Sequence, residues 1–82
     1  MIVVSGGLVK RSVTIAGHRT SISLEPVFWD ALVEAAREDG VSMNALVTAI
    51  DEARGTNLSS AIRVFLFDRA RRARRQSSSQ VT

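Results

Sequence analysis

The chain has 82 residues, of which 45% are hydrophobic, so it is long enough for one small folded domain and too apolar to be disordered. It contains no cysteine and one histidine, which excludes zinc fingers, iron–sulfur sites and thiol catalysis and gives no reason to expect a metal or another cofactor. A domain of this size buries a modest fraction of its surface, so a second copy would supplement its core.

The net charge of +3 conceals an uneven distribution along the chain. Residues 1–24 contain three basic residues and no acid, residues 25–52 contain seven acids and one base, and residues 53–82 contain seven arginines and one acid. Basic ends around an acidic middle favour a surface that binds a polyanion. No apolar run approaches the roughly 20 residues of a membrane span, and no signal-peptide pattern is present, so a cytoplasmic protein is expected.

Two short segments have the alternation of apolar and polar side chains that is typical of strands. They cover residues 11–16 and 19–24, with Gly17 and His18 suited to a turn between them. A local hairpin and a single extended arm are both compatible with this pattern. The sequence also leaves open whether residues 11–16 pair within a chain or between chains.

Helices are predicted after the strands. Pro26 opens the first, since proline suits the first helical position, and Gly40 ends it because glycine accepts a left-handed conformation. Ser42 is a strong N-cap for the second helix. Asn57 or Ser59 caps a third, whose buried face is expected to consist of Leu58, Ala61, Ile62, Phe65 and Leu66.

These elements predict one domain over residues 10–75. A flexible arm, residues 1–9, is expected before it. A disordered tail, residues 76–82, is expected after it because this stretch has no apolar periodicity.

The order of strand, helix, Gly-hydrophobic-Ser turn and helix resembles the ribbon-helix-helix family of Arc, MetJ and CopG. The matching residues are R-T-S-I-S-L-E-P and F-W-D-A-L-V-E-A-A-R-E-D-G-V-S-M-N-A-L-V, within residues 19–50. The resemblance implies a mainly α-helical protein with a short β ribbon. It implies an intertwined homodimer whose two-stranded antiparallel sheet takes one strand from each chain. The first strand-like segment and the third helix depart from the minimal fold.

Elementary strand physics supports this resemblance. One isolated strand leaves its backbone groups unpaired, whereas two copies that pair around a two-fold axis satisfy each other. Alternation then turns one set of side chains outward, and a two-stranded ribbon fits a DNA major groove. The family's base-reading positions match Arg19, Ser21 and Ser23, although a solvated strand face would carry the same residue types.

Further DNA contacts are expected outside the strand. The first turn of the second helix is a phosphate site in the family and corresponds to Ser42, Met43 and Asn44, although Ser42 would cap its helix in any case. Lys10 and Arg11 are expected to contact the phosphates that flank the bases read by the strand. The C-terminal cluster Arg71, Arg72, Arg74 and Arg75 is expected to contact phosphates without reading the base sequence. Arginines at the end of a soluble helix would also explain this cluster.

The predicted function is sequence-specific binding of double-stranded DNA by a homodimer, as a nucleoid-associated repressor that occupies a palindromic operator. Assembly of further dimers along DNA stays open. No phosphate-binding loop, nucleophile with a base or metal-ligand cluster indicates an enzyme. The alternative is an antitoxin or protein-interaction module built on the same dimeric fold, with a protein partner such as a toxin. An amphipathic helix on a membrane surface is a weaker alternative.

Overall fold

The computed structural model describes residues 7–81, with side chains described as far as residue 76. Its elements are, in chain order, β1 (Val9–Ile15), β2 (His18–Leu24), α1 (Pro26–Asp39), α2 (Met43–Ala53) and α3 (Leu58–Val81). The predicted class, mainly α-helical with a short two-stranded antiparallel sheet, is confirmed. Most of the predicted arm, residues 1–6, lies outside the described residues, and α3 continues past residue 75, the predicted end of the domain.

Strands β1 and β2 form an antiparallel hairpin within one chain. The turn is the pair Ala16-Gly17, with φ of 50° and 82°, and positive φ at both positions is typical of a type I′ turn. The hairpin is therefore confirmed and the single extended arm is wrong. The turn starts one residue earlier than the predicted Gly17-His18.

The prediction of a sheet shared between two chains assumed that β2 has no strand to pair with in its own chain. Because β1 satisfies one edge of β2, that edge needs no second copy. An intertwined dimer with an intermolecular sheet stays a prediction. It would have to use the other edge of β2, which pairs with no strand in the described part of the chain.

The inner face of the hairpin carries the apolar residues of both strands. Its four buried side chains are between 0% and 7% exposed: Val13, Ile15, Ile22 and Leu24. Thr20 on the same face is half-buried. The prediction that every second residue of β2 points inward is therefore confirmed, and this face of the hairpin covers one side of the core.

Helix α1 begins at Pro26 and is ended by Gly40, whose φ of 68° is the left-handed conformation predicted for it. Its buried stripe faces the core and is formed by Trp29, Leu32, Ala35 and Ala36. Trp29 is 1% exposed within its own chain and donates its indole N–H to the Val9 carbonyl at 2.8 Å. The hairpin therefore supplies the hydrogen-bond acceptor that a buried indole requires.

Helix α3 packs along α1, and the two helices run in the same direction. Near the start of α1, Arg63 bonds Glu25 at 2.9 Å, and at its end Arg69 bonds Glu38 and Asp39. Of the face of α3 that was predicted to be buried, Ile62 and Leu66 are buried, and Leu58, Ala61 and Phe65 are half-buried and pack against the core. No helix in the described part of the chain combines the length and apolar character that crossing a membrane requires.

Candidate nucleic-acid interface

The outer face of the hairpin consists of polar side chains from both strands. Residues that pair across an antiparallel ladder share a face, so the register assigns six residues to it: Lys10, Ser12, Thr14, Arg19, Ser21 and Ser23. All are exposed except Ser23, which is half-buried. Two of the six are cations and none is a carboxylate, so this face suits a polyanionic partner.

The predicted base-contacting residues all lie on this outer face. Arg19 pairs with Thr14 near the turn, and Ser21 pairs with Ser12 at the middle of the hairpin. Ser23 lies at the open end, where its carbonyl accepts a hydrogen bond from the Ser59 hydroxyl at 3.2 Å. The start of α3 therefore adjoins the open end of β2.

The two cations predicted to reach flanking phosphates lie on opposite faces. Lys10 is on the outer face, opposite Ser23. Arg11 pairs with the buried Ile22, and its guanidinium lies over the Trp29 ring, 5.2 Å from the centroid. Lys10 thus shares a face with the predicted base contacts and remains a candidate phosphate contact, whereas Arg11 lies beside the core, where an aromatic face stabilises its charge.

The first turn of α2 lies beside the hairpin. Ser42 caps it as predicted, its hydroxyl accepting from the Ala45 N–H at 3.0 Å. The Asn44 side-chain oxygen accepts from the Thr14 N–H at 3.3 Å, which ties the helix to the edge of β1. The first N–H groups of a helix have no intrahelical acceptor, and since Ser42 accepts from Ala45 and Leu46, the N–H groups of Met43 and Asn44 are the donors left at this turn, beside the edge of β1.

The side chain of Met43 packs against the core and is half-buried. A phosphate contact from this residue would therefore have to come from its backbone N–H. The side chain of Asn44 is exposed but already bonded to β1. The fold thus supports a phosphate site made by the backbone of this turn, to which the exposed hydroxyl of Ser42 can add a donor.

The C-terminal arginines fall into two groups. The four predicted DNA contacts, Arg71, Arg72, Arg74 and Arg75, are exposed on α3. Arg69 instead bonds Asp39 at 2.8 Å and Glu38 at 3.0 Å. The bond from Arg69 lowers the pKa of Asp39, and the bond to Asp39 raises the pKa of Arg69. Arg69 therefore belongs to the packing of α1 on α3.

Sequence reasoning did not include Ser12 and Thr14 among the DNA contacts. Their alternation with Val13 and Ile15 was visible, but their place opposite Ser21 and Arg19 depends on the turn and register. The link between Asn44 and Thr14 joins residues 30 positions apart and has no local signal in the sequence.

Comparison with known families agrees with this architecture. A family model described as a ribbon-helix-helix domain matches residues 8–70, and no curated protein or solved structure matches the chain. The match includes β1 and most of the packed part of α3, so these elements are part of the family's domain here rather than departures from it. Ribbon-helix-helix proteins are DNA-binding regulators that typically bind DNA as dimers. The chain belongs to the ribbon-helix-helix family.

Proposed function

We propose that this protein is a sequence-specific DNA-binding repressor that occupies a palindromic operator as a homodimer. The outer face of the hairpin enters the major groove. The observation that carries the proposal is the composition of this face: six polar side chains, two of them cations, without a carboxylate. A solvated strand face would tolerate the same residues, and membership of a DNA-binding family favours the nucleic-acid interpretation.

The dimensions of the hairpin suit the groove. Two strands lie about 4.8 Å apart, and the major groove of B-DNA, about 12 Å wide, admits a two-stranded ribbon. Arg19 can donate two hydrogen bonds to guanine O6 and N7, while the hydroxyls of Ser21 and Ser23 reach base edges directly or through water. Ser12 and Thr14, opposite them in the register, extend the same reading surface.

The first turn of α2 fixes the position of the hairpin on the duplex. Its backbone N–H groups are the positive end of a helix dipole, and Asn44 holds them at the edge of β1. A phosphate bound there would lie beside a ribbon seated in the groove. Such contacts give affinity and register without reading sequence.

In vitro selection of double-stranded DNA from a random pool tests the proposal. We expect enrichment of a palindrome, because operator symmetry mirrors the symmetry of a dimer. Half-sites about 10 base pairs apart would indicate one hairpin in each half-site. A single compact motif centred on the two-fold axis would indicate the predicted ribbon of one strand from each chain.

A matched variant separates sequence reading from general attraction to DNA. Replacing Arg19, Ser21 and Ser23 together by alanine leaves the turn of α2 and the α3 arginines in place. We expect this variant to bind DNA weakly and to enrich no motif. If the unchanged protein also enriches no motif, sequence-specific binding is wrong; if it binds no DNA at all, the proposal fails altogether.

A further inference from the structure

The surface between α1 and α3 contains an apolar groove of about 460 Å³. Val27 and Ala31 of α1 and Val64 and Phe67 of α3 are among the residues that line it. The two valines and the phenylalanine are each about three-fifths exposed, at 63%, 59% and 63%. Large apolar side chains grouped on a surface indicate a site of interaction with another molecule.

The groove continues along both helices as a second hollow of about 200 Å³. The two share Ala31, Leu66 and Ala70, and the second extends to Glu38 near the end of α1. From Val27 to Glu38 the combined groove follows about three turns of α1, roughly 16 Å. A trough of this length between two helices fits the side of a third helix of similar length, in the manner of helix-in-groove recognition.

The carboxylates beside the second hollow are already bonded within the chain. Glu34 accepts from Arg37 at 3.4 Å, and Glu38 accepts from Arg69 at 3.0 Å. In each pair the opposite charges largely cancel. The α1 side of the groove therefore has little net charge to offer a partner.

The α3 side of the groove carries two arginines that are not engaged in this way. Arg74 lies on the same stripe of α3 as Phe67 and Ala70, because residues three and four apart share a helix face. Arg71 lies over the Phe67 ring, 5.8 Å from the centroid. Both arginines are exposed, and neither forms an ion pair within the part of the chain whose side chains are described. The groove is thus apolar along its length and positive at one rim.

We infer that this groove binds an amphipathic helix of another protein. The apolar side of that helix would cover Val27, Val64 and Phe67, and carboxylates along its edge would meet Arg71 and Arg74. Apolar anchors three and four residues apart give such a helix its affinity, and complementary charge at the rim gives it orientation and specificity. The hairpin is not part of the groove, so the inference does not depend on DNA reading.

Other occupants fit this surface less well. A lipid surface takes up the protruding apolar side of a helix, whereas here the apolar residues line a trough between two helices. A second copy packed groove to groove would offer Arg71 and Arg74 the carboxylates of Glu34 and Glu38, which are already bonded within its own chain. A helix with acids of its own satisfies both the apolar groove and its positive rim.

Selection of peptides from a displayed library of random helix-forming sequences, with the unchanged protein as bait, tests the groove and its occupant together. We expect enrichment of apolar residues three and four apart with Asp or Glu beside them. In fluorescence anisotropy, Val64→Glu should raise the Kd of a selected peptide about tenfold or more, because a charge replaces a buried apolar contact. Val33→Glu makes the same change at a 41% exposed valine of α1 outside the groove and should bind like the unchanged protein.

Two double variants test the charge of the occupant. Replacing Arg71 and Arg74 by glutamate should also raise the Kd about tenfold, and the loss should shrink at high salt. Replacing Arg72 and Arg75 by glutamate makes the same change in net charge on other sides of α3, so its effect should be much smaller. Equal losses from the two double variants would show a general attraction of acids to α3 and would overturn the inference.

Circular dichroism shows whether each variant is folded, and Val64→Ala provides a milder change if Val64→Glu is not. The inference is also overturned if no peptide is enriched, or if a folded Val64→Glu variant binds a selected peptide as tightly as the unchanged protein. Binding to phosphatidylglycerol vesicles that Val64→Glu abolishes, without any selected peptide, would assign the groove to a lipid surface instead. Self-association that Val64→Glu abolishes, again without a selected peptide, would assign it to a second copy.

Discussion

Arg19 and Lys10 are the two cations of the outer face, and they lie at opposite ends of the hairpin. Arg19 is next to the turn, opposite Thr14, and Lys10 is at the open end, opposite Ser23. A guanidinium can read guanine with two parallel hydrogen bonds, whereas an ammonium group acts as a point charge. The two residues should therefore contribute differently to binding.

Arg19→Ala is expected to cost about 1–3 kcal/mol of binding free energy at the selected site and to relax the preference at one base pair. Lys10→Ala, the matched control, should weaken binding to selected and random DNA alike. Fluorescence anisotropy titrations on both duplexes measure these losses. Equal losses for Arg19→Ala on the two duplexes would make Arg19 a phosphate contact instead.

Arg69 links the ends of α1 and α3 in a pH-dependent way. Its bond to Asp39 holds the pKa of that carboxyl below its ordinary value of 3.8. The folded state therefore favours the charged carboxylate, and the resulting stability is present above the ordinary pKa and is lost as pH falls through the lower folded value. The pair lies at the surface, so its effect is reduced by solvent.

Arg69→Gln should lower the urea midpoint at neutral pH, and the difference from the unchanged protein should shrink below about pH 4. Arg75→Gln makes the same chemical change at an exposed position of the same helix and should have little effect at any pH. A difference for Arg69→Gln that stays constant with pH would show that packing of its side chain, rather than the ion pair, is responsible.

The turn of the hairpin determines which side chains share its outer face. Ala16 adopts φ of 50°, a left-handed conformation that costs an ordinary residue about 1–2 kcal/mol and that asparagine tolerates better. Asn-Gly is the preferred pair for a type I′ turn. Ala16→Asn should therefore stabilise the fold by up to about 1 kcal/mol, and Gly17→Ala should destabilise it by about 1 kcal/mol. Urea unfolding of both variants measures this, and a loss of stability in Ala16→Asn would contradict the turn type.

The basic end of α3 is expected to attract DNA without reading it. Replacing the four exposed arginines 71, 72, 74 and 75 by glutamine keeps Arg69 and its bonds to α1. Binding to selected and random DNA should weaken together, and the slope of log affinity against log salt should become shallower by about 0.9 for each phosphate that the variant no longer neutralises. An unchanged slope would show that this end of α3 does not contact DNA.

The assembled molecule is expected to be more stable than one chain. The hydrophobic core lies between the inner face of the hairpin and the three helices. If the protein is the homodimer that we propose, folding and association are coupled. The thermal midpoint should then rise with protein concentration, which differential scanning calorimetry measures. A midpoint independent of concentration would contradict the coupling.

Local chemistry in the sequence was sufficient to predict the order of the elements and their faces. Alternation in residues 19–24 predicted which side chains point outward, and Pro26, Gly40 and Ser42 marked helix ends, since each acts on backbone within a few residues of itself. The same local order supported the family assignment over residues 19–50, which lie inside the matched residues 8–70.

Only the tertiary structure decided which faces meet. It paired β1 with β2 within one chain, buried Trp29 under its own hairpin, and linked Asn44 to Thr14 across 30 residues. It also showed that Arg69 is bonded to α1, unlike the exposed arginines of the C-terminal cluster that follows it. Periodicity indicates which side of a helix or strand is apolar. Which element covers that side is determined by packing among segments that are far apart in the chain.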